Sequence, residues 1–103
     1  MSYEDMKHAK VVVPWREGLH LRRAVSLVLI ARFFRSSIFL RCGTKMADLR
    51  SIISIISLCA TMGTVLDVEV RGDDETEATR AMQRAFASHD ATISPVQAQQ
   101  KSG

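Results

Sequence analysis

Short apolar segments, several of them with a period of two, mark four predicted β-strands along the chain. In residues 64–71 apolar and charged side chains alternate, which predicts a strand with one buried and one solvated face. The charged residues expected on the solvated face are Asp67, Glu69 and Arg71. The β-branched run Ala9–Pro14 and the alternating segment Ser36–Cys42 predict two more strands. Met46–Leu49 predicts the fourth, because Gly43–Lys45 before it has the length of a hairpin turn.

Between the first two strands, the apolar residues follow helical spacing. In Leu21–Phe34 they recur at intervals of three and four, which places them on one face of a helix. Val25, Leu29 and Phe33 widen this stripe, so we expect the helix to be well buried.

Two further helices are predicted after the hairpin. Ser51–Cys59 fits a strand by its isoleucine content and a helix by the spacing of its apolar residues. We favour a short helix, because Ser51 is a suitable N-cap and Gly63 a suitable end. Acidic residues in 74–77 favour the start of the last helix, since negative charge is stabilised at the positive end of a helix dipole.

The resulting element order is β-α-β-β-α-β-α. Strands joined by helices and one hairpin predict an α+β fold of two layers, in which a single sheet is covered on one face. The domain is expected to span residues 8–88. The polar segments 1–7 and 89–103 are expected to be flexible termini.

Composition fits one small globular domain and excludes several other classes of protein. The chain has 103 residues, of which 47% are apolar and 24% are charged, as in ordinary globular proteins. The apolar run Ala24–Phe34 is too short to cross a membrane, and the polar N-terminus carries no secretory signal, so we expect a cytoplasmic protein. Cys42 and Cys59 are expected to be reduced and buried. No spacing of histidines and cysteines indicates a metal site.

Charge is distributed unevenly along the chain. Residues 16–50 contain eight basic and two acidic side chains, whereas residues 67–77 contain six acidic and one basic. A basic region of this kind can meet a nucleic acid, a phosphate or an acidic protein, or it can be a solvated surface. A nucleic-acid partner is the weakest of these interpretations, because the chain has six aromatic residues and no stacking motif.

His20 stands where the first helix is predicted to begin, directly before a pair of arginines. The N–H groups of a first helical turn have no intrahelical partners, so they favour an anion, as does the helix dipole. A neutral imidazole can act as a nucleophile. We therefore expect His20 to accept a phosphoryl group bound by Leu21, Arg22 and Arg23, without a metal or another cofactor. The plainer alternative is a surface histidine at a helix start.

Three segments together resemble one known family. GLHLRRA (residues 18–24) resembles the active-site segment of the histidine-containing phosphocarrier (HPr) family of the bacterial phosphoenolpyruvate-dependent sugar phosphotransferase system. DLRSIISIISLCATMG (residues 48–63) resembles its second conserved block, and GDDETEA (residues 72–78) its acidic entry to the last helix. The resemblance covers residues 10–88. It implies an open-faced β-sandwich, a four-stranded antiparallel sheet with three helices on one face and with strands two and three outermost.

The resemblance also implies roles for single residues. His20 would accept the phosphoryl group from enzyme I and pass it to enzyme IIA domains, assisted by Arg22. Ser51 would be the serine that HPr kinase/phosphorylase modifies in some bacteria. The partner-facing surface expected around His20 consists of Arg22, Arg23, Arg50, Ile53 and Ile56. Core packing would explain the two isoleucines equally well. Such a protein is a phosphoryl-transfer intermediate rather than a free-standing enzyme, and nothing in the sequence demands more than a monomer.

Two residues depart from the family pattern G-x-H-A-R-P-A. Arg23 stands where the family has proline, and Leu21 where it has alanine. Loss of the proline adds an N–H and a cation at the helix start, and the leucine adds bulk beside the nucleophile. Two functions therefore stay open: a phosphocarrier, or a regulatory HPr-like module that binds proteins with little or no phosphoryl transfer.

Overall fold

The strands and helices follow the predicted order in the computed structural model, which describes residues 7–87. They are β1 (Lys7–Val12), α1 (Leu21–Ala31), β2 (Ser37–Cys42), β3 (Lys45–Asp48), α2 (Ile52–Ser57), β4 (Val65–Arg71) and α3 (Glu75–Ala87). Lys7, expected in the N-terminal tail, instead pairs with Val70 in the sheet. The flexible C-terminus expected at 89–103 lies outside the described residues. None of the helices within 7–87 has the length and apolar character needed to cross a membrane.

The four strands form one antiparallel sheet in the order β1-β4-β2-β3. The antiparallel pairing and the α+β architecture confirm the predicted fold class. The expectation that the second and third strands lie outermost is wrong for the second. Because β4 inserts between β1 and β2, the edge strands are β1 and β3. The chain order of the strands alone does not specify this insertion.

The core lies between the inner face of the sheet and the helices. Leu66, Val68 and Val70 of β4 are fully buried, as their alternation predicts. α3 packs on β1 and β4, while α2 lies beside α1 and contacts β3. Met82 of α3 is also completely buried. Full burial of such a side chain is worth about 1.5–3 kcal/mol, so this layer is the main stabilising contribution to the fold.

α1 is amphipathic rather than buried on all sides. Leu21 and Leu29 expose 59% and 50% of their surface, so the expectation of a well-buried helix is wrong. The helix also ends at Ala31, before the predicted Phe34, and Phe33 in the following turn is 66% exposed. Neighbouring layers cover only the side of α1 that carries Leu27 and Val28. Side chains project in all directions around a helix axis, so packing against one side of the helix leaves the opposite side exposed.

α2 confirms the helical interpretation of an ambiguous segment but ends early. The Ser51 hydroxyl accepts a hydrogen bond from the Ser54 N–H at 3.2 Å, which caps the helix as expected. Cys59 has a φ of 54° and stops the helix before Gly63. The expectation of two buried cysteines is wrong, since Cys59 is exposed and Cys42 is half-buried.

The polar face of β4 differs from the expectation at one position. Asp67 is half-buried and Arg71 is exposed, but Glu69 exposes only 6% of its surface. Its carboxylate accepts a 2.7 Å hydrogen bond from Nε of Arg41, on the neighbouring strand β2. Because β4 lies inside the sheet, side chains from both neighbouring strands can cover Glu69. The face predicted to be solvated is therefore covered at this residue.

Asp74 connects the start of α3 to the loop between α1 and β2. Its carboxylate accepts hydrogen bonds from the Ser36 hydroxyl at 2.6 Å and from the N–H groups of Arg35 and Ser36 at 2.9 and 3.0 Å. These bonds, the Ser36 hydroxyl first among them, hold the pKa of Asp74 below its usual value. The Ala78 N–H donates to the Asp74 carbonyl, so α3 begins at the predicted acidic segment.

Candidate functional site around His20

The loop that leads from β1 to α1 is fixed against the chain segment that follows α2. The N–H of Val13 donates to the carbonyl of Thr64 at 3.0 Å, and Gly63 N–H donates back to the Val13 carbonyl at 2.8 Å. The N–H of Leu19 donates to the carbonyl of Ala60 at 3.0 Å. The residue directly before His20 is thereby held by a backbone hydrogen bond to the end of the α2 region.

Gly18 is required by the close approach of these two segments. Its φ is +77°, and a Cβ at this position would lie 2.7 Å from the Ala60 carbonyl oxygen. Both the backbone conformation and the contact exclude a larger residue without strain. The glycine therefore sets the path of the chain into His20.

His20 is the N-cap residue of α1 and is exposed to solvent. Its backbone is extended, with φ −96° and ψ −177°, and its carbonyl accepts the N–H of Ala24 at 3.0 Å. The imidazole makes no capping hydrogen bond, and the first turn of α1 contains no acidic residue. The ring therefore lies at the positive end of a helix of eleven residues, where an anion is favoured.

The two arginines after His20 occupy different surroundings. Arg22 is exposed, whereas Arg23 exposes only 7% of its surface. The Arg23 guanidinium stacks over the Trp15 ring, 4.6 Å from its centroid, and lies 3.7 Å from the Glu17 carboxylate. The expectation that Arg23 belongs to the partner-facing surface is therefore wrong. Its side chain fixes α1 to the preceding loop.

α2 and the residues just before it carry the other predicted site residues. Arg50 is exposed and Ile53 is 72% exposed, while Ile56 is half-buried. Core packing thus explains Ile56 in part but does not explain Ile53. Ser51 is half-buried, and its hydroxyl is engaged as the α2 cap.

An apolar surface on α1 was not among the predicted site residues. Leu21, Val25 and Leu29 of α1 and Phe33, in the turn that follows the helix, lie four positions apart and form what we call the outer stripe of α1. Three of them are at least half exposed. The sequence between Gly18 and Ala47 contains no acidic residue, so all charged side chains that this segment contributes are basic. The signal in the sequence was the apolar spacing itself, which extends around more of α1 than one core face can cover.

Comparisons with known proteins identify the family of the chain. A family model described as the PTS HPr component phosphorylation site matches residues 7–88. The phosphocarrier protein HPr of Xylella fastidiosa is 31% identical over 79% of this chain and 91% of its own length. The HPr-like protein Crh of Bacillus subtilis is 36% identical over 71% of this chain and 86% of its own.

Comparison with solved structures agrees with the comparison of sequences. A crystal structure of phosphocarrier protein HPr from Bacillus anthracis superposes with a TM-score of 0.74 at 30% identity, covering 79% of this chain and 96% of that one. The architecture of the sheet and helices is that of the phosphocarrier proteins that this chain resembles. The chain belongs to the HPr family.

Proposed function

We propose that this protein carries a phosphoryl group on His20, which it accepts from phospho-enzyme I and donates to enzyme IIA domains of a phosphotransferase system. The observation that carries the proposal is the exposed imidazole at the N-terminus of α1, with no capping bond and no acidic neighbour in the first turn. A ring nitrogen attacks phosphorus through its lone pair as the bond from phosphorus to the donor breaks. In donation, a nucleophile of the acceptor protein attacks phosphorus as the bond from phosphorus to the His20 ring nitrogen breaks and returns its electron pair to the ring.

The phosphoryl group would be held by three donors. The backbone N–H groups of Leu21 and Arg22 point out of the first turn, and the exposed Arg22 side chain adds a charge-assisted hydrogen bond. The Arg23 side chain contacts Trp15 and Glu17, so we do not include it among the donors to the phosphoryl group. The chemistry needs neither a metal nor another cofactor, because these donors stabilise the developing charge themselves.

The partners would bind a surface that joins α1 and α2. We define the docking surface as Arg22, Arg50, Ile53, Ile56 and the outer stripe Leu21, Val25, Leu29 and Phe33. Its apolar centre suits the hydrophobic core of a transient interface, and its arginines suit a partner with an acidic rim. Enzyme I and enzyme IIA domains are the expected partners, with this chain acting as a cytoplasmic monomer and without nucleic acid or membrane insertion.

Ser51 is the proposed site of regulatory phosphorylation by an HPr kinase/phosphorylase. Its hydroxyl caps α2 and Arg50 precedes it directly, so a phosphate there would meet a helix N-terminus and a cation. The added charge would change the docking surface at its α2 side.

A regulatory module is the second candidate function. The similarity to Crh, an HPr-like protein, favours it, as do the two departures at Leu21 and Arg23. In that case the docking surface would act by protein binding, with little or no phosphoryl transfer.

The experiment that separates the two functions is phosphorylation by enzyme I and phosphoenolpyruvate. A carrier gains one acid-labile phosphate per chain, and His20→Ala abolishes the gain. His8→Ala removes an exposed histidine of β1 and serves as the matched control, which should retain full uptake. If the unaltered protein takes up no phosphate, the carrier proposal is wrong and the regulatory module takes its place.

A further inference from the structure

A cavity of about 370 Å³ lies away from His20, between the C-terminal half of α1, the start of β2 and the segment that joins β3 to α2. Its apolar wall includes Val28, Ile38 and Leu49, which expose no more than 5% of their surface. Phe34, half-buried, adds an aromatic ring. The volume is at the lower end of the range of about 300–1,000 Å³ that small-molecule sites occupy.

Two arginines complete the wall, Arg32 from the end of α1 and Arg50 from the segment before α2. Both are exposed, and neither side chain forms an ion pair with another described residue. No acidic residue lines the cavity among the residues described. Two basic residues from different parts of the chain therefore line one cavity whose wall contains no acidic residue among those described. The nearest carboxylates identified by hydrogen bonds to the wall belong to Asp74, bound to Ser36, and Asp48, bound to the Arg50 N–H.

The remaining polar group of the wall is already engaged. The Ser36 hydroxyl and N–H both donate to the Asp74 carboxylate, at 2.6 and 3.0 Å. Arg32 and Arg50 thus carry the polar side chains of the wall that bond to no other described residue. Guanidinium favours carboxylate and phosphate, which it binds through paired N–H groups.

We propose that this cavity binds a small amphipathic anion, a ligand with an apolar ring or short chain and one carboxylate or phosphate group. The apolar body would contact Val28, Ile38 and Phe34, while Arg32 and Arg50 would bind the anionic group. Arg50 also belongs to the docking surface, so an occupied cavity would weaken partner binding. That last consequence rests on the proposed function, whereas the binding site itself does not.

The test is an NMR titration of the full ¹⁵N-labelled chain, alone in solution, with 2-naphthoate and with 2-naphthyl phosphate. We expect a dissociation constant of about 1 mM or tighter for at least one of them, given typical affinity per atom for small ligands. The amide shifts should centre on residues 31–38 and 49–50. Comparison of the two probes identifies which anionic group the site prefers. Neutral 2-naphthylmethanol should bind about tenfold more weakly, because it lacks the charge.

Variants assign the interaction to the cavity. Arg32→Gln and Arg50→Gln should each weaken binding of the anionic probe about tenfold. Arg80→Gln removes the same charge from the exposed surface of α3 and should leave binding unchanged. Ala31→Leu fills the cavity and should abolish binding without a change in charge.

Three results would overturn the proposal. They are equal affinity in Arg32→Gln, Arg50→Gln and Arg80→Gln, equal affinity for the neutral alcohol, and shifts centred on His20 instead of the cavity. Should Ala31→Leu fail to fold, the neutral probe and the arginine variants decide the question alone. Because no partner protein is present, a negative result leaves phosphoryl transfer by His20 unaffected.

Discussion

Arg22 and Arg23 are neighbours in the chain, yet helix geometry gives them separate tasks. A residue step turns the helix by about 100°, so one side chain points outward while the next turns toward Trp15. The sequence predicts the helix start but assigns both arginines to the anion site, because residue type alone does not report which one an aromatic ring will cover. The departure from proline at this position is therefore better explained as packing than as phosphate binding.

Substitution of Arg22 should mainly change the rate of phosphoryl transfer, and substitution of Arg23 should mainly change the free energy of unfolding. Arg22→Leu should slow phosphoryl transfer about tenfold, because it removes one charge-assisted hydrogen bond, and should leave the free energy of unfolding nearly unchanged. Arg23→Leu should lower the free energy of unfolding by about 1–2 kcal/mol, because the cation no longer stacks on Trp15, with little change in transfer. Urea unfolding and the rate of phosphate uptake measure the two effects. The opposite assignment would show that Arg23 binds the phosphoryl group.

At the scale of elements, the His20 site depends on contacts between segments far apart in sequence. The loop before α1 is hydrogen-bonded to residues 60–64, and α3 is tied to the α1–β2 loop through Asp74. The sequence places a glycine two residues before His20 and predicts that α3 begins with acidic residues. It does not indicate that Gly18 faces Ala60 or that Asp74 binds Ser36, since such pairs form only once the elements pack.

Gly18→Ala should therefore harm both stability and transfer. A methyl group there meets the Ala60 carbonyl oxygen at 2.7 Å, in addition to the strain of a positive φ. Gly43→Ala is the matched control, because Gly43 has a φ of +62° and nothing within 4 Å of the added Cβ. We expect each substitution to cost about 1 kcal/mol for its backbone, with a further loss of stability only in Gly18→Ala. Only Gly18→Ala should slow phosphate uptake, and equal effects of the two would show that the Ala60 contact has no role.

The contribution of Asp74 to the free energy of unfolding should depend on pH and be lost in acid. Its folded-state pKa lies below the ordinary value of 3.8, so its contribution to the free energy of unfolding is fully present above that value. The contribution is lost as the pH falls through the folded-state pKa. Asp74→Asn should therefore be less stable than the unaltered protein at pH 7, and the difference should shrink as the pH falls below about 4.

Urea unfolding at pH 7 and pH 3 measures this change. Asp73→Asn is the control, because the Asp73 side chain is 85% exposed and its carboxylate lies 3.8 Å from an exposed Arg35. It should show little difference at either pH. A stability difference for Asp74→Asn that stays constant from pH 7 to pH 3 would show that the carboxylate charge is not what stabilises this junction.

At the scale of the whole molecule, the sequence predicts the architecture better than the surface. Alternation in β4 and the cap at Ser51 follow from local chemistry, which the chain alone contains. Which stripe of α1 faces solvent, and why Glu69 is buried by Arg41, depend on how many neighbours each element has. The outer stripe of α1 stays exposed because neighbouring elements pack only on the opposite side of the helix, whereas the apolar spacing alone assigns the stripe to the core.

The docking surface combines that stripe with the exposed side of α2, and its two kinds of residue should act on different rate constants. Arg50→Glu should slow association with enzyme I and reduce the dependence of that rate on salt, because rim charges steer encounter. Leu29→Ser and Ile53→Ala should mainly raise the dissociation rate, each by about tenfold, because each removes an exposed apolar side chain from the interface. Arg80→Glu reverses a charge on α3, outside this surface, and should change neither constant much. Stopped-flow binding at two salt concentrations measures both rate constants.

Two outcomes would contradict this assignment. If Arg50→Glu and Arg80→Glu slow association equally, the net charge of the protein governs encounter. If Leu29→Ser leaves the dissociation rate unchanged while Ile53→Ala raises it, the interface ends at α2 and the outer stripe of α1 lies outside it.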